Sequence, residues 1–276
     1  MSLLDIIVRE AWLWLGASLL LALLWSNLTW LFSPWADAVG SSETSGSLAE
    51  RIVFQVAHWR FSGSVHQGLR LLYYVGLPAV ALFWGRDAVL SRLLGLQRLA
   101  LPSPGEGTST AALSANWADW IHDLGWAAVL GLAGTGLLLL ASMAYHRALF
   151  SIKSTGRTGR TGGWRLAREA IYHEVHWAFY RNAPVMAFGL YWGTWAALAL
   201  IALEAALNPE WRGDLVEPAR AWPCLVQGAI AVVSCLVYMQ TQNLWLALLL
   251  HWGIEWTIQW QTRPSTTASD VASCGE

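Results

Sequence analysis

Residues 169–181 read Glu169-Ala-Ile-Tyr172-His173-Glu174-Val-His176-Trp177-Ala-Phe-Tyr180-Arg181. This stretch sets ionisable groups among large apolar side chains. On a helix, with about 100° between successive residues, its polar members form two stripes. The first stripe comprises Glu169, His173, His176 and Tyr180, and the second comprises Glu174 and Arg181. Because the stripes are neighbours, we predict that both face one cavity.

The composition around this stretch is that of a membrane protein. The chain has 276 residues, of which 55% are hydrophobic and 13% are charged, and its apolar residues come in long blocks. We therefore predict an all-α fold: a polytopic transmembrane bundle of about six to seven spanning helices plus interfacial amphipathic helices. Residues 1–260 are predicted to form a single transmembrane domain, and 261–276 a polar, disordered tail.

The apolar pattern also predicts the individual elements. Spanning helices are expected at 11–32, 124–145, 185–207, 224–239 and 243–260. The shorter run 69–84 contains Gly76 and Pro78 and predicts a kinked helix. Amphipathic interfacial helices are expected at 48–61 and 86–101. The polar segments 33–47 and 208–223 read as loops.

The charge pattern predicts orientation and excludes one class of partner. The net charge is −1 and the 17 Lys and Arg residues build no basic patch, so we expect no nucleic-acid partner. Segment 147–168 carries six of them and no acidic residue, which by the positive-inside rule makes it cytoplasmic. We expect the protein in a bacterial plasma membrane or another energy-coupling membrane, in contact with membrane lipid.

The last apolar segment adds a second set of polar groups. His251 and Glu255 lie one helical turn apart, and Asn243 lies two turns before His251. An ionisable side chain at bilayer depth costs a few kcal/mol or more, so it persists where it faces a polar cavity or a partner. Together with 169–181, this segment is the predicted functional site.

Two segments resemble motifs of a known family. Glu174 and Arg181 are followed, after a long apolar stretch, by Thr241-Gln-Asn-Leu-Trp245 and by Leu-Leu-Leu-His251-Trp-Gly-Ile-Glu255. These look like the first and last motifs of the CPBP family, the intramembrane glutamic proteases that include the CAAX prenyl endopeptidases and bacteriocin-processing proteins. The resemblance covers 169–260.

The chain departs from the family pattern at several positions. The family's first motif is a Glu-Glu pair with a nearby Arg, which is here His173-Glu174 with the Arg displaced to Arg181. The family's last motif, His-x-x-x-Asn, has Glu255 in place of the Asn. The family's middle motif, Phe-x-x-x-His, is missing, because no histidine lies between His176 and His251.

The resemblance implies an endopeptidase that cleaves a membrane-associated peptide or protein and needs no cofactor. Glu174 would be the general base that activates a water molecule. His251, with His173 or His176, would stabilise the oxyanion. Glu255 would orient His251, and Arg181 would hold a carboxylate or the substrate backbone. The residues expected to contact substrate are Asn243, Trp177 and Tyr180.

Two other interpretations of the same residues stay open. A metal site is possible, although His-Glu-Val-His lacks the spacing of the His-Glu-x-x-His zinc motif. Its ligands would come from His173, His176 and His251 with Glu169, Glu174 or Glu255. Alternatively, the missing histidine indicates a catalytically inactive scaffold or assembly subunit of a larger membrane complex.

The 20 tryptophans bear on that scaffold alternative. We interpret them mainly as interfacial anchors and packing residues, because indole prefers the boundary between headgroups and hydrocarbon. They could also pack against partner subunits. In a pigment-associated version of the scaffold, His146, His176 or His251 would be an axial ligand.

Overall fold

The computed structural model describes residues 3–39, 62–84, 110–149 and 162–261. Every regular element in these ranges is helical, and none of the residues described there forms a strand. The amphipathic helices predicted at 48–61 and 86–101, most of the basic segment 147–168 and almost all of the polar tail lie outside the described residues.

The described residues form eight α-helices and one π-helical turn. They are α1 (Leu3–Val39), α2 (Ser62–Leu71), a π-helical turn (Leu72–Gly76), α3 (Leu77–Trp84), α4 (Thr110–Leu149), α5 (Gly163–Leu207), α6 (Pro209–Val216), α7 (Ala221–Thr241) and α8 (Leu244–Gln261).

Among the described residues, 4 helical segments are long and apolar enough to cross a membrane. They are Glu10–Leu31, Trp117–Leu149, Gly163–Leu207 and Ala221–Thr241. The predicted all-helical class is confirmed, and these segments are compatible with an integral membrane protein.

Helix α5 consists of two antiparallel arms, a first arm (163–188) and a second arm (190–207), joined at Gly189. Gly189 has φ 76° and ψ 173°, a backbone conformation that favours glycine. Near the tip, a Cβ added to Gly193 would lie 2.4 Å from Cα of Val185, so the arms meet backbone to backbone. The sequence placed the new helix at Val185, which is wrong by about one turn. Pro184 stays helical and buried, as proline can in a bundle whose neighbours pack around it.

The predicted kinked helix at 69–84 contains a π-helical turn. The backbone N–H of Leu77 donates to the carbonyl of Leu72, five residues earlier, so the turn holds one residue more than an α-helical turn. It presents two consecutive aromatic rings, Tyr73 and Tyr74, to the first arm of α5, each about 5.1 Å from the ring of His176 between centroids.

Two segments predicted as loops are partly helical. Helix α1 continues to Val39, because Ala36 and Ala38 favour helix and the Gly- and Ser-rich run begins only at Gly40. Within 208–223, helix α6 starts after Asn208. The side-chain oxygen of Asn208 accepts hydrogen bonds from the next free N–H groups, and Pro209 occupies the first helical position.

The first arm of α5 runs through the middle of the bundle. It packs on α1 and α3 on one side and on α7 and α8 on the other. Helix α4 closes the second side through two glycines: a Cβ on Gly131 would lie 2.7 Å from Leu250, and one on Gly134 would lie 2.9 Å from Val233. Behind this close contact with α4, helices α7 and α8 place polar side chains beside the first arm.

Candidate functional site

Glu174 is the centre of a buried polar network between the first arm, α7 and α8. Its side chain is 0% exposed, and both oxygens accept hydrogen bonds. Nδ1 of His251 donates to Oε1 at 2.9 Å, and the Ser234 hydroxyl donates to Oε2 at 2.6 Å. With three partners from three helices, this carboxylate is stabilised in its ionised form.

The third partner is Arg181, which is also fully buried. Its Nη2 lies 3.4 Å from Oε2 of Glu174 and 3.4 Å from the hydroxyl of Ser234. Nε donates to the carbonyl of Trp177, and the guanidinium lies over the ring of Tyr238, 4.5 Å from its centroid. Nη1 has no partner among the described residues. Arg181 therefore compensates the buried carboxylate and keeps free donors beside it.

Glu255 extends the network from His251 toward the surface. Nε2 of His251 lies 3.4 Å from Oε1 of Glu255, which is within ion-pair range but lacks hydrogen-bond geometry. The side chain of Glu255 is 20% exposed, whereas that of His251 is fully buried. With one carboxylate facing each ring nitrogen, His251 is stabilised as the imidazolium, which carries an N–H on both.

His173 lies beside this network. Its ring stacks on Trp177, with 5.5 Å between centroids, and on His251, with 5.7 Å between centroids. Its Nε2 is 2.9 Å from the side-chain nitrogen of Gln227 on α7. His173 thus joins Glu174, Arg181, His251 and Glu255 in one group, which we call the Glu174 centre.

The structure places His176 and Tyr180 in a separate cluster. Nε2 of His176 is 3.1 Å from Oε2 of Glu204 on the second arm and 3.3 Å from the hydroxyl of Tyr73. The ring of Tyr180 lies 4.3 Å from that of His176 between centroids. The predicted single cavity therefore divides, and the division falls within the first stripe: His173 lies in the Glu174 centre, whereas His176 and Tyr180 lie in the separate cluster. His176 does not contribute an imidazole to the Glu174 centre.

Glu169 belongs to neither cluster. It accepts a bidentate pair of hydrogen bonds from Arg70 of α2, at 3.2 and 2.6 Å, and a further one from Arg168. The Arg70 guanidinium lies near the stacked rings of Tyr74 and Tyr172. This contact ties α2 to the start of the first arm.

Two of the residues expected to contact substrate, Asn243 and Trp177, are buried and contact other parts of the protein. Asn243 is buried and caps α8, because its side-chain oxygen accepts from the N–H groups of Trp245 and Leu246. Trp177 is buried with its ring 5.3 Å from that of His251 between centroids. Trp177 therefore forms a wall of the Glu174 centre, and Asn243 fixes the start of the helix that carries His251.

The sequence reasoning missed Ser234 and Gln227, both on α7. They lie seven residues apart in an otherwise apolar helix, and that spacing places both on one face. The same spacing separates Glu174 from Arg181. A polar pair at i and i+7 was thus the available signal, although neither residue is ionisable.

The described residues contain no group of three or more His, Cys, Asp or Glu side chains placed to hold a metal ion. One ring nitrogen of each candidate histidine ligand faces another partner instead: Nε2 of His173 faces an amide, Nε2 of His176 faces a carboxylate, and Nδ1 of His251 faces a carboxylate. His146, a candidate axial ligand, contacts the backbone carbonyl of Ser142 through Nδ1.

Comparison of the chain with protein-family models, with curated proteins and with solved structures finds no match in any of the three.

Proposed function

We propose that this protein is a membrane-embedded, glutamate-dependent endopeptidase, a divergent relative of the CPBP family that hydrolyses a membrane-associated peptide or protein. The observation that carries the proposal is the Glu174 centre, in which a fully buried carboxylate contacts His251 and Arg181. Buried charged groups in an apolar bundle are costly, and they gather where the chemistry of a site needs them.

The carboxylate of Glu174 retains one free acceptor position. A carboxylate has about four lone-pair positions, and Ser234 and Arg181 occupy those of Oε2 while His251 occupies one on Oε1. The remaining position is on Oε1. A water molecule bound there would donate to Glu174, which is the arrangement that general-base catalysis needs.

The proposed reaction is hydrolysis of an amide. Glu174 takes a proton from the water, and the oxygen of that water attacks the carbonyl carbon. The negative charge that develops on the carbonyl oxygen is stabilised by nearby N–H donors, of which Nη1 of Arg181 has no protein partner among the described residues. The C–N bond then breaks as the proton held on Glu174 passes to the leaving amine.

The centre has an exposed side. His173, Gln227 and Glu255 are each partly exposed, whereas Glu174 and His251 beneath them are fully buried. We propose that a peptide reaches the centre past these three residues. Glu255 would supply a proton path between His251 and the outside, since its carboxylate faces the second ring nitrogen of His251.

We further propose about seven membrane crossings, within the six to seven expected from the sequence. The two arms of α5 are roughly 39 and 27 Å long at 1.5 Å per residue, and α8 is roughly 27 Å long, all close to the ~30 Å hydrocarbon thickness. The count is seven, an odd number: one crossing each for α1, the α2–α3 unit, α4, α7 and α8, and two for the arms of α5. The two ends of the chain would then lie on opposite sides of the membrane.

The distribution of charge supports a direction for this arrangement. One end of the bundle carries Arg70, Arg147, Arg165, Arg168, Arg212 and Arg220. The other end, at the tip of the α5 hairpin and the start of α4, carries Glu10, Asp119 and Asp123. By the positive-inside rule the arginine-rich end is cytoplasmic, and the N-terminus of α1 is not. A bacterial plasma membrane fits this arrangement.

An inactive scaffold is the second candidate, and one observation favours it. The Glu174 centre binds three helices to one another, and a buried ionic network of this kind can serve assembly alone. Exposed tryptophans such as Trp192 and Trp260 could contact partner subunits instead of lipid.

Purification from the native membrane in mild detergent distinguishes the two candidates. The preparation is analysed for co-purifying subunits and assayed on a quenched peptide tethered to a membrane anchor. Cleavage by the isolated chain supports the endopeptidase. A stoichiometric assembly that cleaves nothing supports the scaffold.

A further inference from the structure

We infer that Gln227 is a positioning residue that holds His173 in the tautomer with its proton on Nδ1, and so presents a single N–H donor to the carbonyl oxygen of a peptide substrate. The role in catalysis rests on the proposed endopeptidase function. The tautomer itself is a property of the resting protein and can be measured independently.

His173 is stacked on a second histidine, and this neighbour determines its charge. Its ring stacks at 5.7 Å on His251, with an interplanar angle of 11°. His251 has a carboxylate facing each nitrogen and is therefore the cationic ring of the pair. A second positive charge stacked on it would be repelled, so His173 is the neutral ring.

The contact with Gln227 determines which ring nitrogen of His173 carries the proton. A neutral imidazole has one N–H, and the other nitrogen is an acceptor. The side-chain NH2 group of Gln227 can only donate, and it lies 2.9 Å from Nε2 of His173. Nε2 must therefore be the acceptor, and the proton is on Nδ1. A neutral histidine side chain in water prefers the opposite tautomer, with its proton on Nε2, so the contact with Gln227 determines this one.

The other ring nitrogen of His173, Nδ1, is the one available to a substrate. Nδ1 of His173 is buried and has no hydrogen-bond partner among the described residues, as is also true of Nη1 of Arg181. Buried donors in native proteins are nearly always satisfied by protein, water or ligand. The stack fixes the His173 ring between Trp177 and His251, so its N–H is held in one direction. A peptide carbonyl oxygen beside Glu174 is the acceptor that this site offers it.

This assignment gives His173 the oxyanion role that the sequence left open between His173 and His176. It also assigns a function to an amide that lies on a different helix and has no charge of its own. Gln227 does not contact the substrate and acts through His173 alone.

Nitrogen NMR of histidine-labelled protein in detergent micelles tests the inference directly. The His173 signals are identified by their loss in His173→Asn, and the pattern of two-bond couplings to the ring protons reports which nitrogen is protonated. We expect the Nδ1–H tautomer in the wild type and its loss in Gln227→Leu. Gln240→Leu, an exposed position on the same helix, should leave the tautomer unchanged. An Nε2–H tautomer or an imidazolium at His173 in the wild type overturns the inference.

Two further measurements keep the test interpretable. Gln227→Glu preserves the shape of the side chain and replaces the donor by an acceptor, so it should move the proton to Nε2 even if Gln227→Leu folds poorly. In the peptide-cleavage assay we expect both variants to lower kcat about 10- to 100-fold with a smaller change in KM, as for other groups that orient a functional histidine. Unchanged kcat in a variant whose tautomer has shifted overturns the catalytic role of Gln227. A wild type that shows the Nδ1–H tautomer but cleaves nothing overturns the proposed endopeptidase and leaves the Gln227–His173 assignment supported.

Discussion

Nδ1 of His251 donates to Oε1 of Glu174 at 2.9 Å, and both side chains are fully buried although 77 residues separate them in the chain. Their contact joins the first arm of α5 to α8. Because both residues are ionisable and lie inside an apolar bundle, the pair is stable only with the further partners that surround it, namely Arg181, Ser234 and Glu255.

The balance of charge in this centre predicts the effect of removing Arg181. In Arg181→Met, the carboxylate of Glu174 stays buried beside His251 but loses the positive charge of Arg181, so the centre is left with one uncompensated negative charge. We therefore expect the free energy of unfolding to fall by roughly 3–5 kcal/mol. Denaturant titration of the protein in mixed micelles measures the change. Arg212→Met, at an exposed position on α6, is the matched control.

A double variant separates charge from packing in that result. Glu174→Gln combined with Arg181→Met removes both charges, so it should be less destabilised than Arg181→Met alone. If the double variant loses as much stability as the sum of the single variants, the two side chains are not coupled and this description of the centre is wrong.

The α5 hairpin predicts opposite effects at two glycines. In Gly193→Ala the new methyl group would lie 2.6 Å from the carbonyl oxygen of Pro184, and backbone atoms cannot move aside cheaply. We expect a loss of about 1–3 kcal/mol in unfolding free energy. Gly228→Ala adds a methyl group in open space within α7 and should be neutral or stabilising by up to about 1 kcal/mol. Equal effects at both positions would contradict the close contact between the arms.

The proposed sidedness predicts which residues a membrane-impermeant thiol reagent reaches in sealed cells. In a chain whose own cysteines have been replaced, Glu10→Cys and Arg165→Cys are both at exposed positions. We expect Glu10→Cys to react from outside and Arg165→Cys to react only after the membrane is opened. The reverse pattern, or reaction of both from the same side, contradicts the proposed topology.

The sequence predicted the helical class and the residues of the Glu174 centre because long apolar blocks and isolated charges are local signals. It could not predict which of the ionisable residues contact one another and which belong to a separate cluster. His173 and His176 are three residues apart on one helical stripe, yet α8 and α7 provide the partners of His173 while the second arm and the π-helical turn provide those of His176. That division depends on the chain reversal at Gly189, whereas the sequence pattern predicted only that a spanning helix starts at Val185.

The sequence also could not predict the contacts of the uncharged polar residues. Ser234 and Gln227 carry no charge, so the search for ionisable groups did not identify them as partners of Glu174 and His173. Asn243, which the sequence predicts as a substrate contact, has its side-chain oxygen at the start of α8, where it caps the helix. Amide and hydroxyl groups are common in helices and at caps, so their presence alone does not indicate a site. Their roles follow from which ionisable group they contact, and that is known only once the helices are packed.

Cleavage of a membrane-tethered peptide by purified wild type, Glu174→Gln and Glu204→Gln tests the central claim most directly. Each substitution replaces a carboxylate that contacts a histidine within the bundle: Glu174 contacts His251, and Glu204 contacts His176. Only Glu174 lies in the proposed centre. Loss of a general base should lower the rate about 10²- to 10⁴-fold in Glu174→Gln, whereas Glu204→Gln should stay within a few-fold of wild type. Full cleavage by a correctly folded Glu174→Gln protein would contradict the proposed function.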